Sequence, residues 1–135
     1  METITDIAVR EEEIDQLGHV NNKVYVSYFE SGRGQWFSKA GLSFDDMSEK
    51  KIGTVVVRLD INFKKEARLG EHLRVKTTPI KMGNRSFEFK QVILNESDEV
   101  ITEAKVITVM FDLATRKSTV VADEIKQHIP SGSEN

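Results

Sequence analysis

Residues 15 to 25, Asp-Gln-Leu-Gly-His-Val-Asn-Asn-Lys-Val-Tyr, crowd a carboxylate, an imidazole and two carboxamides into the approach to an apolar helix. A helix start offers unpaired N–H groups and the positive end of a dipole, so it stabilises negative charge beside it. Gly18 lets the backbone approach another group closely or take a positive φ. Asn21 or Asn22 can cap the helix, and Asp15 lies where it can curl back towards the same amides. A carboxylate with a bare amide donor is the minimum set for acyl transfer: one attacks or activates water, the other holds the developing oxyanion. The same residues also read as an ordinary turn, because Asp and Gly recur in turns for conformational reasons alone.

Composition removes several other chemistries. With no cysteine among 135 residues there is no disulfide, no thiolate nucleophile and no Cys-based zinc site. His19, His72 and His128 are scattered without metal-ligand spacing, so no metal is expected. No Gly-x-Ser-x-Gly elbow and no glycine-rich phosphate loop occurs. The net charge of −3, with Lys and Arg dispersed, gives no general field for nucleic acid or an anionic membrane, so neither is expected as a partner. No apolar run is long enough to span a bilayer, and the Met-Glu-Thr-Ile-Thr-Asp start has neither a basic region nor an apolar stretch. The expectation is a cytoplasmic protein with one domain over residues 1–129 and a polar tail over 130–135 that frays.

The elements that must position the turn follow from periodicity. Residues 4–10 read as a short strand. From Asn22 to about Ala40, Tyr25, Phe29, Gly32, Trp36 and Ala40 form one helical stripe, flanked by Val24, Tyr28, Val26 and Phe37. The remaining polar arc is narrow, so this helix expects cover over most of its circumference. Gly41 stops it, and Ser43 with Asp45 and Asp46 starts a brief second helix. Residues 54–64 alternate with period two, and 72–80, 85–94, 99–111 and 117–121 supply further strands between short turns. Neighbouring strands joined by short turns make an antiparallel sheet. A helix of roughly 28 Å, apolar nearly all round, needs a strongly curved sheet to cover it. The fold class is therefore α+β: a curved antiparallel sheet of five or six strands wrapped around one long central helix.

Asp15-x-x-Gly18-His19-Val20-Asn21-Asn22-x-x-Tyr25, followed by Tyr28-Phe29-Glu30 and Arg33, resembles the signature of hotdog-fold acyl-CoA thioesterases, in the branch of the 4-hydroxybenzoyl-CoA thioesterases and their bacterial relatives. The similarity continues through Ile61-Asn62-Phe63, Ala67-Arg68-Leu69-Gly70-Glu71 and Gly83-Asn84-Arg85-Ser86-Phe87 to Val109-Met110-Phe111-Asp112, nearly the whole folded chain. The resemblance implies hydrolysis of an acyl-CoA, and alternatively of an acyl carrier protein thioester, with coenzyme A as part of the substrate and no separate cofactor. It assigns the catalytic carboxylate to Asp15, as nucleophile or general base, and the oxyanion donor to the backbone amide of Asn22. Gly18 gives the thioester access to the backbone, and His19 and Asn21 orient the turn.

The resemblance further implies a homodimer or homotetramer, with the acyl pocket between the helix and the partner's sheet, lined by Tyr25, Phe29, Val55 and Val57. Arg85 and Ser86, with Lys64, Lys65 and Arg68, are its candidate partners for the coenzyme phosphates. Two departures matter. Some relatives carry a Tyr shortly before the Asp and a His at the position of Asn22; this chain has Glu11, Glu12 and Glu13 upstream, so the role of that His does not transfer. A different hotdog branch places its carboxylate within the helix, where Glu30 is the sole acid here; the reading for Glu30 is an ion pair with Arg33 at i+3. Rival functions on the same fold are a hydratase or dehydratase acting on enoyl or hydroxyacyl thioesters, and a non-catalytic acyl-CoA-binding protein.

Overall fold

The computed structural model describes residues 1–130, so the expected fraying of 131–135 lies outside the described residues. Its strands are β1 (Thr3–Ala8), β2 (Ile52–Phe63), β3 (His72–Met82), β4 (Ser86–Leu94), β5 (Val100–Asp112) and β6 (Lys117–Ser118). The helices are α1 (Asn22–Lys39), α2 (Phe44–Glu49) and α3 (Asp123–Lys126). All strands pair antiparallel in the order β1-β3-β4-β5-β2, with β6 added on β5. This six-stranded sheet, wrapped on α1, is the architecture expected from the pattern of the sequence.

The helix ends obey local rules. The Asn21 side chain caps α1 by accepting from the Lys23 amide at 3.1 Å. Gly41 takes φ +92° just after the helix, where a side chain would be strained. Ser43 and Asp46 form a reciprocal capping box on α2. The expected strand over 117–121 shortens to two residues, because the Val121 amide turns away to the Asn84 carbonyl at 3.0 Å. The single turn of α3 that follows was not anticipated.

Alternation along β3, β4 and β5 sends Leu73, Val75, Phe87, Phe89, Ile93, Val106 and Met110 inward, all fully or nearly fully buried. Trp36 and Phe37 of α1 meet this face edge to ring, with Trp36 at 4.9 Å from Phe89 and Phe37 at 6.0 Å from Phe87. Gln91 breaks the apolar series. Its amide donates to the Phe29 carbonyl (2.9 Å) and Thr77 (3.0 Å), while its oxygen accepts from Arg33 (3.0 Å). Arg33, expected to pair with Glu30, is instead bound to Gln91. Burial lowers its pKa and the nearby Glu30 charge opposes that shift.

The helix is covered less than its composition implied. The sheet buries Tyr25, Tyr28, Phe29, Gly32, Arg33, Trp36 and Phe37, but Val26 and Glu30 face outward. At the end of the strand order β2 pairs only with β5 and leaves its other edge open. Val55, Val56, Val57 and Phe63 on that edge are each exposed to 40% or more. A β-bulge interrupts the pairing between Val56 and Arg58.

Gly32 is where α1 lies closest to the sheet. A Cβ there comes within 2.7 Å of a Val75 methyl and 3.0 Å of both Gln91 and Thr77. Gly32→Ala should gain helix propensity yet lose about 1–3 kcal/mol net by overpacking. Urea unfolding checks this: the midpoint falls, with an unchanged slope.

Candidate active site

The turn before α1 is closed on itself. Ile14 and Val20 form an isolated antiparallel bridge, the Asp15 amide donates to the His19 carbonyl, and the Gly18 amide donates to the Asp15 carbonyl, both at 3.0 Å. Gly18 has φ +88°, the conformation for which its type was singled out. The Asp15 carboxylate accepts from the Leu17 amide at 2.9 Å, leaving its second oxygen without a partner among the described residues. Asp15 thus does serve the ordinary turn role, and it remains half-exposed.

Three contacts dock this turn. The Val20 amide donates to the Ala67 carbonyl at 2.8 Å and the Asn21 amide to the Glu13 carbonyl at 3.0 Å. The Ala67 amide donates to the Tyr25 hydroxyl at 3.1 Å. With Asn21 serving the amides of Lys23 and, through its carbonyl, Val24, the amide of Asn22 is the first helical donor with no acceptor among the described residues.

Beside that amide is a hollow of about 220 Å³. His19, Asn22, Tyr25, Phe63 and the segment 64–66 line it. Burial raises the Tyr25 pKa, as do the charges of Glu71, Glu66 and Asp15, while the Ala67 hydrogen bond opposes them. Tyr25 therefore stays a neutral phenol close to three carboxylates. Asp15 is near enough to act on Tyr25 but does not line the hollow within one protomer. His19 is tethered, its Nε2 3.4 Å from Glu66 and its Nδ1 3.5 Å from the Val20 carbonyl.

The remaining expected residues separate into four places. Lys64, Lys65 and Arg68 lie on the same rim, ion-paired with Glu103 (3.3 Å), Glu99 (2.7 Å) and Glu66 (2.5 Å). Phe29 is wholly buried in the core beneath Gln91, away from any opening, whereas Val55 and Val57 sit on the open edge of β2. Arg85 and Ser86 occupy the other end of the sheet: Ser86 pairs with Val109, and Arg85 donates to the Ser118 carbonyl at 3.0 Å. Within one chain the turn at Asp15 and the pair at 85–86 are at opposite ends of α1.

Two supports were not singled out from the sequence. Ala67 carries no chemical signal, its importance being in its backbone. Glu13 accepts from the Tyr28 hydroxyl (2.8 Å) and from the Arg10 amide (2.9 Å) and guanidinium (3.1 Å), tying the segment before the turn to α1. Burial acts to raise the Glu13 pKa, but these donors outweigh it and hold the carboxyl below its ordinary 4.5. A depressed carboxyl contributes stability above its unfolded pKa and loses it as pH falls through the folded value. Tyr28→Phe should therefore destabilise by about 1–2 kcal/mol at pH 7. The gap from the parent protein should narrow as pH falls below 4.5, which thermal unfolding at pH 7, 5, 4 and 3 measures.

Comparison with known proteins gives this geometry a family. The Thioesterase-like superfamily model matches residues 9–129. Long-chain acyl-CoA thioesterase FadM of Escherichia coli (strain K12) is 29% identical over 93% of this chain and 95% of its own length. The chloroplastic acyl-acyl carrier protein thioesterase ATL2 of Arabidopsis thaliana is 31% identical over 85% of this chain and 62% of its own. The crystal structure of DHNA-CoA thioesterase from Staphylococcus aureus superposes with a TM-score of 0.83 at 30% identity, covering 88% of this chain and 80% of that one. The sheet curled around α1 is the hotdog fold, and the chain belongs to the thioesterase-like superfamily.

Proposed function

We propose that the protein is an acyl-CoA thioesterase that hydrolyses its substrate to a free acid and coenzyme A. The observation that carries the reading is the unpaired Asn22 amide, opening on a hollow at the start of α1 next to the turn that holds Asp15. In this mechanism the thioester carbonyl oxygen accepts from the Asn22 amide, where the helix dipole favours the developing charge. Asp15 attacks the carbonyl or takes a proton from water that does. The relatives named for acyl-CoA substrates support coenzyme A as the carrier, and the likeness to ATL2 keeps acyl carrier protein as the second candidate.

The reading includes a homodimer formed through the open edge of β2, supported by that strand's apolar and unpaired edge. Antiparallel pairing about a two-fold axis sets the Ile52 end of one β2 beside the Phe63 end of the other. Ser86 pairs with Val109, and Val109 with Val55, so it shares the Ile52 half of its sheet. A second copy thereby brings its Arg85 and Ser86 to the end where the first holds Asp15. Only β2 and β5 intervene before β4, a span of roughly 14 Å at ordinary strand spacing. Phosphate groups of coenzyme A then meet Arg85 and Ser86 of one copy and Lys64 and Arg68 of the other. Val55 and Val57 close the acyl pocket over the bare side of α1 at Val26.

Free-thiol release from a panel of short, medium, long and aryl acyl-CoAs tests the function. We expect turnover by the native protein and at least a roughly hundredfold loss of kcat in Asp15→Asn with little change in fold. Tight acyl-CoA binding without turnover would point to a binding protein instead. Val57→Lys should shift the dimer towards monomer in light scattering and lower activity with it, because each site then lacks the second copy.

A further inference from the structure

His19 was read as an orienting residue, and Glu66 had no role at all. In the structure the Glu66 carboxylate bridges two groups: one oxygen meets Arg68, the other lies 3.4 Å from His19 Nε2. The other ring nitrogen of His19 is 3.5 Å from the Val20 carbonyl. Both neighbours are pure acceptors, so whichever ring nitrogen carries the proton has an acceptor beside it. The contacts are long, so the ring is tethered and can share an N–H with a third acceptor in the hollow. That hollow is also lined by Asn22, three residues further along the chain, whose amide has no acceptor among the described residues. A carbonyl on that amide therefore brings its own sulfur into the neighbourhood of the imidazole.

We propose that Glu66 is a positioning residue for His19, and that His19 donates a proton to the departing thiol. This rests on the thioesterase reading and adds to it a general acid. The charged groups around the ring are Glu66 and Arg68, paired with each other, Lys64 and Lys65, engaged by Glu103 and Glu99, and Asp15 in the same turn. Lys64 and Lys65 are each engaged by an acid, whereas both contacts of the His19 ring are long, so the imidazole is the group we assign as proton donor. As the carbon–sulfur bond breaks, its electron pair moves to sulfur and the imidazolium proton follows. The proton that Asp15 removed from water returns to the imidazole through solvent, so the net reaction is thioester plus water to acid plus thiol. Transfer is favourable because an alkyl thiol holds its proton more tightly, with a pKa about two units above an imidazolium's in general.

The test compares two esters of one acyl group that both lack the nucleotide: the N-acetylcysteamine thioester, with a basic alkyl thiolate, and the 4-nitrothiophenol thioester, whose thiolate leaves without a proton. His19→Gln should lower kcat on the alkyl thioester by about a hundredfold, and Glu66→Gln and Glu66→Ala by about tenfold, in keeping with a lost general acid and a misplaced one. On the aryl thioester each loss should fall to about threefold or less. Glu66 is 44% exposed at its side chain, so these variants should melt as the parent does. Equal losses on both esters would show a merely structural role and overturn the proposal, as would unchanged rates on the alkyl ester. Absence of turnover by the native protein on acyl-CoA would instead overturn the thioesterase reading itself.

Discussion

The backbone of Ala67 holds the candidate site together. Its carbonyl takes the amide of Val20 and its N–H goes to the Tyr25 hydroxyl, so the backbone of one buried residue fastens the β2–β3 connection to both the turn and the first full turn of α1. Those bonds set the distance between the start of the helix and the segment 64–66, and the hollow is the space that remains between them. A backbone group sealed from water must be paired, which makes this arrangement insistent: either partner lost leaves a buried polar group unsatisfied. The free Asn22 amide is the counterpart of that rule. It stays unpaired because it opens on solvent, where a substrate oxygen can take it.

Beneath the site the core carries a polar strip that is not needed for packing alone. Gln91 is the hub, spending both its donors and its acceptor on α1 and β3. Gly32 allows the close approach that makes those bonds possible. A fully bonded network of this kind fixes the rotation and axial position of the helix more sharply than an apolar interface does. That matters here because the amide at the start of α1 can only meet a carbonyl if the helix does not slide. Arg33, buried and bound to the same amide, ties the middle of the helix to the same register.

A single chain leaves the candidate site partly unenclosed. Asp15 stands near the hollow without lining it, Val26 and the β2 valines face outward, and Arg85 and Ser86 lie at the far end of the sheet. An open apolar edge thus accompanies an incomplete cleft, and it is on this pair of features that the proposed homodimer rests. In that proposed homodimer the antiparallel symmetry sets opposite ends of the two sheets together, with Arg85 and Ser86 of one copy near Asp15 of the other.

Much of this was legible in the residues. Asp15, Gly18 and Asn21 announced a turn and a cap because their conformational and hydrogen-bonding preferences act over a few bonds, and the structure puts Gly18 at positive φ and Asn21 at the cap. Period two and period 3.6 placed the strands and α1, since burial on one face must repeat with the geometry of the element. Gln91 was visible in principle as the one polar residue in the inward series Phe87, Phe89, Ile93. The partner of Arg33, the pairing of Glu66 with His19 and of Glu13 with Tyr28, the clamp at Ala67 and the separation of residues 85–86 from Asp15 were not legible. Each depends on segments separated along the chain, by 15 residues for Glu13 and Tyr28 and by more for the others, meeting at a particular register, and alternation reports which face a residue takes but not which residue stands across from it.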